Sequence, residues 1–288
     1  MKAELVIDAR ATVGEGPVWD HRSQRLYWVD IEGCRLHILD PATGEDRSIP
    51  VGQMVGAAVL RRSGGVMIAV KEGIGTFDVE REQLTILHRP EQHIPENRFN
   101  DGKCDPAGRF WVGTMGPAGR KGALYCVSPD LSLERKIADV GISNGLAWSL
   151  DRSTMYYIDS WARTVVAYAY DEATGAIADP RLVIEIPVAD GEPDGMTIDE
   201  EGMLWIAIWD GRRVIRIDPA NGALIGEVSV PVSRPTSCTF GGPDLGTLYI
   251  TSARTGLAPE VLAAEPLAGG VFCCRPGVRG MNAVEFAG

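Results

Sequence analysis

The sequence has little of what the common catalytic and cofactor motifs require. It contains only four histidines, none in H-E-x-x-H spacing, and it has no G-x-S-x-G. A histidine-rich zinc site and a Ser-His-Asp hydrolase are therefore poorly supported. No Walker sequence or EF-hand loop occurs, and the stretches Gly14-Glu15-Gly16 and Gly73-Ile74-Gly75 lack the third glycine of a dinucleotide-binding loop. Any chemistry must come from other residues.

Basic blocks, long apolar runs and paired cysteine motifs are also missing. The six cysteines show no C-x-x-C spacing, which favours a reduced, cytoplasmic chain. The net charge of −11 argues against nucleic acid or an anionic membrane as a partner. No stretch is apolar enough to span a bilayer, and Met1 to Glu4 run into strand-like Leu5 to Ile7 without a signal-peptide core. We expect a cytoplasmic location, and the sequence does not indicate an oligomeric state.

What the sequence does contain is a repeat of short apolar runs. Six of them can be aligned in one column, which reads Trp28, Met67, Trp111, Tyr157, Trp205 and Tyr249. The spacings of 39 to 48 residues match four-stranded propeller blades and are too long for leucine-rich or ankyrin units. No helical period extends over a long window, and no linker interrupts the repeat. The sequence therefore predicts an all-β, six-bladed β-propeller as a single domain over residues 1–288.

Polar residues precede glycine at the start of several of these units. They are Glu15 before Gly16, Asn100-Asp101 before Gly102, Asn144 before Gly145, and Asp194 before Gly195. In a ring of equivalent blades such side chains converge on one point. Carboxylate and amide oxygens suit a hard divalent cation, so we expect one metal ion here. Ca²⁺, Mg²⁺ or Mn²⁺ fits the ligands on hardness, Zn²⁺ also accepts carboxylates, and the sequence does not choose among them.

A second set of residues is expected to form the wall of the pocket above the metal. The start of the first strand and the end of the second share one rim of an antiparallel blade. The residues just after the second strands are Ile31, Lys71, Met115, Trp161, Trp209 and Arg254. Met115, Trp161 and Trp209 are therefore predicted to contact a substrate.

These residues resemble those of a known family. Glu15-Gly-Pro-x-Trp, Arg98-Phe-Asn100-Asp101-Gly102-Lys, Gly113-Thr-Met115, Ser143-Asn144-Gly145-Leu, Pro193-Asp194-Gly195-Met and Phe240-Gly-Gly are similar to motifs of the regucalcin (senescence marker protein) and gluconolactonase family. The resemblance spans the chain. It implies a six-bladed propeller that hydrolyses a sugar lactone with one divalent metal. It also implies that Glu15, Asn144 and Asp194 bind the metal, that Asp194 is the catalytic acid and base, and that Arg98 and Asn100 contact substrate.

One loop departs from the family pattern. Similar proteins carry a substrate-contacting carboxylate before Gly-Ala-Leu-Tyr, whereas residues 116–121 here end in Arg120 and Lys121 and contain no acid. If these cations contact the substrate, an acidic sugar lactone is expected to be preferred over a neutral one.

Other functions stay open at this point. The acidic composition permits a non-catalytic, calcium-binding regulatory protein of the regucalcin type, and the same metal would serve a phosphotriester hydrolase. A propeller that only docks other proteins is the third alternative, and it predicts an exposed apolar patch on the rim.

Overall fold

The chain folds into six four-stranded antiparallel sheets arranged in a ring, as the repeat predicts. The structure is a computed structural model that describes residues 1–117 and 121–288. Only one short α-helix, α1 (Pro259–Ala264), and one 3₁₀ turn at Val188–Asp190 occur in those residues. Within the same ranges, no helix has the length and apolar character needed to cross a membrane. The all-β, six-bladed β-propeller is confirmed.

The strands follow one another through the blades in chain order. After β1 (Glu4–Ile7), the first two blades contain β2 (Gly14–Asp20), β3 (Arg25–Asp30), β4 (Arg35–Asp40), β5 (Glu45–Pro50), β6 (Val55–Leu60), β7 (Val66–Val70), β8 (Gly73–Asp78) and β9 (Gln83–His88). The next two contain β10 (Arg98–Cys104), β11 (Phe110–Met115), β12 (Gly122–Val127), β13 (Leu133–Val140), β14 (Ser143–Trp148), β15 (Thr154–Asp159), β16 (Thr164–Asp171) and β17 (Ala176–Glu185). The last two contain β18 (Glu192–Ile198), β19 (Leu204–Trp209), β20 (Arg213–Asp218), β21 (Ala223–Ser229), β22 (Pro235–Gly241), β23 (Thr247–Ser252) and β24 (Val271–Cys274).

The two ends of the chain close the ring within one sheet. β1 pairs antiparallel with β24, so that Glu4 lies opposite Cys273 and Leu5 lies opposite Phe272. The N-terminal strand is thus the outermost strand of the blade formed by β22, β23 and β24. Hydrogen bonds between β1 and β24 join the N-terminal and C-terminal parts of the chain in one blade. This pairing closes the ring.

The predicted apolar runs form the second strand of each blade and supply much of the core. Trp28, Met67 and Trp111 are almost fully buried, and so are the equivalent residues of the later blades. These side chains pack between adjacent sheets, where they contact buried apolar residues of the neighbouring blade. Burying an aromatic or aliphatic side chain of this size stabilises the fold by about 1.5–3 kcal/mol each.

Two of the buried tryptophans are anchored by a buried aspartate six residues earlier. The Trp111 indole N–H donates to Asp105 Oδ2 at 2.9 Å, and the Trp205 indole donates to Asp199 Oδ2 at 2.9 Å. Both aspartates are completely buried, and each pairs with an arginine. Both stretches read Asp-x-x-Gly-x-x-Trp. The aspartate therefore ties the turn before the second strand to the core of the blade.

Candidate metal and substrate site

A β-bulge in each innermost strand places the polar residues on the channel. The pairing between β14 and β15 goes from Ser143 opposite Asp159 to Leu146 opposite Tyr157, so Asn144 and Gly145 lie in the irregularity. The same shift in β18 contains Asp194 and Gly195. Bulges bend a strand and turn its side chains out of the regular alternation, and they occur next to functional sites.

The glycines after Asn144 and Asp194 are required by close packing of the inner strands. A Cβ on Gly145 would lie 2.6 Å from Met196 Cβ, and one on Gly195 would lie 2.0 Å from Ser237 Oγ. Only glycine allows the neighbouring bulges to approach this closely. In these two blades the glycine thus reflects how tightly the innermost strands meet around the channel. Gly16, which follows Glu15, has no such close contact and instead adopts a positive φ of +51°.

The side-chain amide of Asn144 has a fixed orientation. The Ser160 hydroxyl donates to Pro193 O at 2.6 Å, so its proton is used and Ser160 Oγ can only accept from Asn144. Asn144 Nδ2 donates to it at 3.0 Å. Asn144 Oδ1 is therefore turned the other way. It is buried and has no donor among the residues that the structure describes. A buried acceptor without a partner is costly, and it marks a place where a donor or a cation belongs.

Two buried carboxyl groups, those of Glu15 and Asp194, lie beside the Asn144 amide. Glu15 is 4% exposed and Asp194 is 7% exposed, and neither forms an ion pair within residues 1–117 and 121–288. Burial, the Asp194 charge and the Asp101 charge raise the pKa of Glu15 well above its ordinary value. Burial, followed by the Asp101 charge, raises the pKa of Asp194 to about 8, and the adjacent Asn144 amide and Glu15 carboxyl partly oppose that rise. Without a cation, the protein thus favours the protonated forms of these two carboxyl groups. A bound cation would favour their ionised forms.

The donor set fits a hard divalent ion. In the described parts of the chain, no group of three or more His, Cys, Asp or Glu side chains is placed to hold a metal. The candidate ligands are the carboxyl groups of Glu15 and Asp194 together with the Asn144 amide oxygen. Three oxygen ligands suit Ca²⁺, Mg²⁺ or Mn²⁺ and leave coordination positions for water or substrate. Such an ion would provide the missing partner of the amide oxygen and the missing positive charge beside the two carboxyl groups.

Arg98 and Asn100 form a hydrogen-bonded pair beside the carboxyl groups. One guanidinium nitrogen of Arg98, Nη1, donates to Asn100 Oδ1 at 2.6 Å and to Phe99 O at 3.0 Å. Asn100 Nδ2 donates to Ser143 O at 2.8 Å. Burial lowers the pKa of Arg98, and the charges of Glu32, Glu15 and Asp194 counteract this. Asn100 therefore positions Arg98. One lone pair of its Oδ1 and one N–H of its Nδ2 remain, and its predicted contact with substrate stays a prediction.

Asp101 and Lys103 lie further along the same strand, inside the channel. Asp101 Oδ1 accepts from its neighbour Gly102 N at 2.7 Å, within the bulge of β10. Lys103 Nζ donates to Met196 O at 2.6 Å. Burial lowers the pKa of Lys103, and the Asp101 charge opposes that shift. The Lys103 charge partly offsets the Asp101 charge, which still raises the pKa values of Glu15 and Asp194.

The predicted wall residues differ in their solvent exposure at the rim. Met115 and Trp209 end their strands, β11 and β19, and are half-buried, whereas Trp161 follows β15 and is 60% exposed. The Arg234 guanidinium lies 4.7 Å from the centre of the Trp209 ring, so one face of that ring is occupied. Among the other predicted wall residues, Ile31 is buried and Lys71 is exposed. Of the aromatic wall residues, Trp161 is thus the freer to meet a ligand.

Residues 118–120 of the basic loop, Arg120 among them, lie outside the residues that the structure describes. Lys121 is exposed, and its backbone oxygen accepts from Asn97 Nδ2 at 2.9 Å. The predicted contact of Arg120 and Lys121 with substrate stays a prediction.

Sequence reasoning missed three polar side chains that shape the site. Ser160 orients Asn144, Lys103 partly offsets the charge of Asp101, and Glu91 lines a cavity beside Arg98. Ser160 and Glu91 act across strands or between loops, where no local pattern marks them. Lys103 has a signal that could have found it, because it follows Asp101 by two residues on the same innermost strand.

Metal binding is expected to release protons. Since the protein alone holds Glu15 and Asp194 with raised pKa values, an ion that binds their carboxylates must displace protons below about pH 8. The metal affinity should therefore rise from pH 6 to pH 8. Calorimetric titration in buffers of different ionisation enthalpy measures the protons released. An affinity that does not depend on pH over this range, with no proton release, would contradict the arrangement.

The whole chain is similar to proteins of one family. A sequence model of the family described as SMP-30/Gluconolactonase/LRE-like region matches residues 13–254. The Bacillus subtilis protein YvrE, whose name marks it as a candidate sugar lactone lactonase, is 41% identical over 290 residues, covering 100% of this chain and 99% of the relative. Regucalcin of Gallus gallus is 42% identical over 296 residues, with 100% and 99% covered.

A solved structure agrees with this similarity. Regucalcin from Agrobacterium tumefaciens, which is described as a calcium-binding protein, matches with a TM-score of 0.94 at 29% sequence identity. The match covers 99% of this chain and 97% of that one.

Proposed function

This chain belongs to the SMP-30/gluconolactonase/LRE-like family, and from that premise we propose that it is a metal-dependent hydrolase that opens a sugar lactone to the aldonic acid. The observation that carries the proposal is the Asn144 amide oxygen, buried without a donor among the described residues beside the carboxyl groups of Glu15 and Asp194. These three residues would hold the ion. Arg98 lies beside them and lines a cavity large enough for a small substrate.

The chemistry divides between the ion and the chain's own residues. When bound, a divalent ion would polarise the lactone carbonyl and stabilise negative charge on its oxygen. Asp194 has two carboxylate oxygens, so one can bind the ion while the other accepts the proton of the attacking water. The water oxygen forms a bond to the carbonyl carbon, the ring C–O bond then breaks, and Asp194 returns the proton to the departing ring oxygen. The product is a hydroxy acid, and no other reactant is needed.

Arg98 is the residue best placed to orient the substrate. Its guanidinium has five N–H donors in a rigid plane, and the bonds to Asn100 and Phe99 come from only one nitrogen, Nη1. The remaining donors can bind the ester oxygens or hydroxyl groups of a lactone. Because Asn100 fixes the plane of the guanidinium, the substrate meets a preorganised group, which lowers the entropic cost of orientation.

The proposal is tested by restoring metals to chelated protein. Lactones of different ring size and sugar stereochemistry are supplied, and acid release is followed with a pH indicator. We expect no turnover without metal and turnover with at least one of Ca²⁺, Zn²⁺, Mg²⁺ and Mn²⁺. Tight Ca²⁺ binding with no lactone turnover under any metal would favour a calcium-binding regulatory protein. Activity on a phosphotriester and none on a lactone would favour the other hydrolase.

A further inference from the structure

A cavity of about 400 Å³ lies on the rim between the second and third blades. Its lining includes Lys71, Arg89, Glu91, Asn97, Arg98 and Thr114. None of the three proposed metal-binding residues lines it, but Arg98 does. Arg98 also lies close enough to Glu15 and Asp194 for their charges to raise its pKa against the effect of burial. The cavity therefore extends the site sideways from the metal position, with Arg98 at the junction. Its volume is in the range of small-molecule sites.

Glu91 presents a firmly held carboxylate to this cavity. Its Oε1 accepts from Thr114 Oγ1 at 2.9 Å and from the Tyr125 hydroxyl at 3.0 Å. Its Oε2 accepts from Asn97 Nδ2 at 2.9 Å. Burial and the Glu91 charge raise the pKa of Tyr125 well above its usual value, so this phenol remains a donor. Three neutral donors thus fix the carboxylate from two strands and one loop.

The carboxylate of Glu91 has an acceptor position left over. A carboxylate offers about four lone-pair sites, and three are used, two on Oε1 and one on Oε2. No Lys, Arg or His among the described residues forms an ion pair with it, unlike the buried Asp105 and Asp199, each of which has an arginine. Neutral donors hold the group in place without neutralising it. Its negative charge and its free lone pair remain for a donor that enters the cavity.

We propose that Glu91 is a substrate-binding residue that accepts a hydrogen bond from a hydroxyl group of a neutral, polyhydroxylated lactone. This inference depends on the proposed function, because the lactone carbonyl is taken to lie at Arg98 and the metal. The hydroxyl-bearing part of the molecule then extends into the cavity and meets Glu91. A substrate with a carboxylate at that position is repelled by Glu91. This is the opposite preference to the one expected from Arg120 and Lys121.

The test compares three lactones of one ring size on the metal-loaded protein. They are an unsubstituted lactone, a neutral polyhydroxylated lactone and an acidic sugar lactone. In Glu91→Gln, KM for the neutral polyhydroxylated lactone should rise about 10-fold or more, since a hydrogen bond to a charged group is lost. The unsubstituted lactone should be unaffected, and the acidic lactone should improve. The matched control is Glu72→Gln, which changes an exposed carboxylate of the same cavity that pairs with Arg89.

Equal losses on all three lactones in Glu91→Gln would overturn the proposal and show that Glu91 only anchors the loop. Tyr125→Phe provides the second comparison, because it removes one anchoring bond and keeps the carboxylate. The Tyr125→Phe variant should retain the preference for the hydroxylated lactone. If it loses that preference as completely as Glu91→Gln does, Glu91 does not contact the substrate.

A binding measurement separates this inference from the proposed function. A sugar alcohol has the hydroxyl groups of the substrate and no lactone. Calorimetry should show weaker binding of it to Glu91→Gln than to the unchanged protein. If no lactone is hydrolysed and this difference is still seen, the proposed function fails and the role of Glu91 stands. If lactones are hydrolysed and the sugar alcohol binds both proteins equally, the role of Glu91 fails alone.

Discussion

Asp194→Asn should reduce kcat/KM for lactone hydrolysis about 10³-fold or more, because one change removes an anionic metal ligand and the proton acceptor. The substitution keeps the size of the side chain, so the bulge that holds it needs no rearrangement. Glu15→Gln should lower the metal affinity and the activity in the same direction, since it too removes an anionic ligand. The measurements are steady-state hydrolysis and metal titration of the purified variants.

The stability of the metal-free Asp194→Asn variant distinguishes a chemical loss from misfolding. In the metal-free protein the pKa of Asp194 is raised from 3.8 to about 8. Between these values the folded state keeps a proton that the unfolded chain releases, so the free energy of unfolding falls as the pH rises. Asparagine does not titrate, and the variant should lack this fall. At pH 8 the metal-free variant is therefore expected to be at least as stable as the unchanged protein.

The control for this prediction is a carboxylate on the same rim. Asp210 pairs with Arg234 at 2.7 Å and is half exposed. Asp210→Asn should stay within about 3-fold of the unchanged kcat/KM, because exposed ion pairs contribute little. Near-normal turnover by Asp194→Asn, or by the unchanged protein after chelation, would contradict the mechanism.

The outline of the fold was predictable because each blade repeats the same two physical demands. The second strand must fill the layer between neighbouring sheets, which gives the column that includes Trp28 and Trp111. The innermost strand must pass close to its neighbours, which gives the glycine after Asn144 and after Asp194. Both demands act on single residues at a fixed position in the unit, so they leave a periodic signal.

The supporting contacts of the site were not predictable in the same way. Ser160 orients Asn144 from the end of another strand and Glu91 reaches Tyr125 across 34 positions of the chain, so neither contact has a fixed spacing. The roles of the predicted metal and substrate residues remain proposals, although the structure brings Glu15, Asn144 and Asp194 together.

One structural signal was present in the sequence and was not recognised. The stretches that end in Trp111 and Trp205 both read Asp-x-x-Gly-x-x-Trp. An aspartate before a glycine is usually explained by turn chemistry alone. Here Asp105 and Asp199 also accept hydrogen bonds from buried indole groups, because the turn folds back onto the strand that follows it.

Asp105→Asn tests that anchor and should destabilise the protein strongly without affecting the chemistry. Asp105 accepts from two backbone N–H groups, from Arg109, from the Trp111 indole and from the Tyr170 hydroxyl. Removing its charge leaves a buried arginine without its counter-ion, which costs about 3–5 kcal/mol. For a chain of this size we expect the midpoint of thermal unfolding to fall by roughly 6–15 °C.

The same variant should remain active at low temperature. Asp105 follows the last residue of β10, whereas Arg98 is the first residue of that strand, so the substitution lies at the far end of the blade from the proposed site. kcat/KM per folded molecule at 20 °C should therefore be nearly unchanged. Asp218→Asn, at an exposed hairpin where the side chain caps only its own turn, should change stability by about 1 kcal/mol or less. If Asp105→Asn is as stable as Asp218→Asn, the buried aspartate does not anchor the blade, and the repeated Asp-x-x-Gly-x-x-Trp stretches have no structural role beyond the turn.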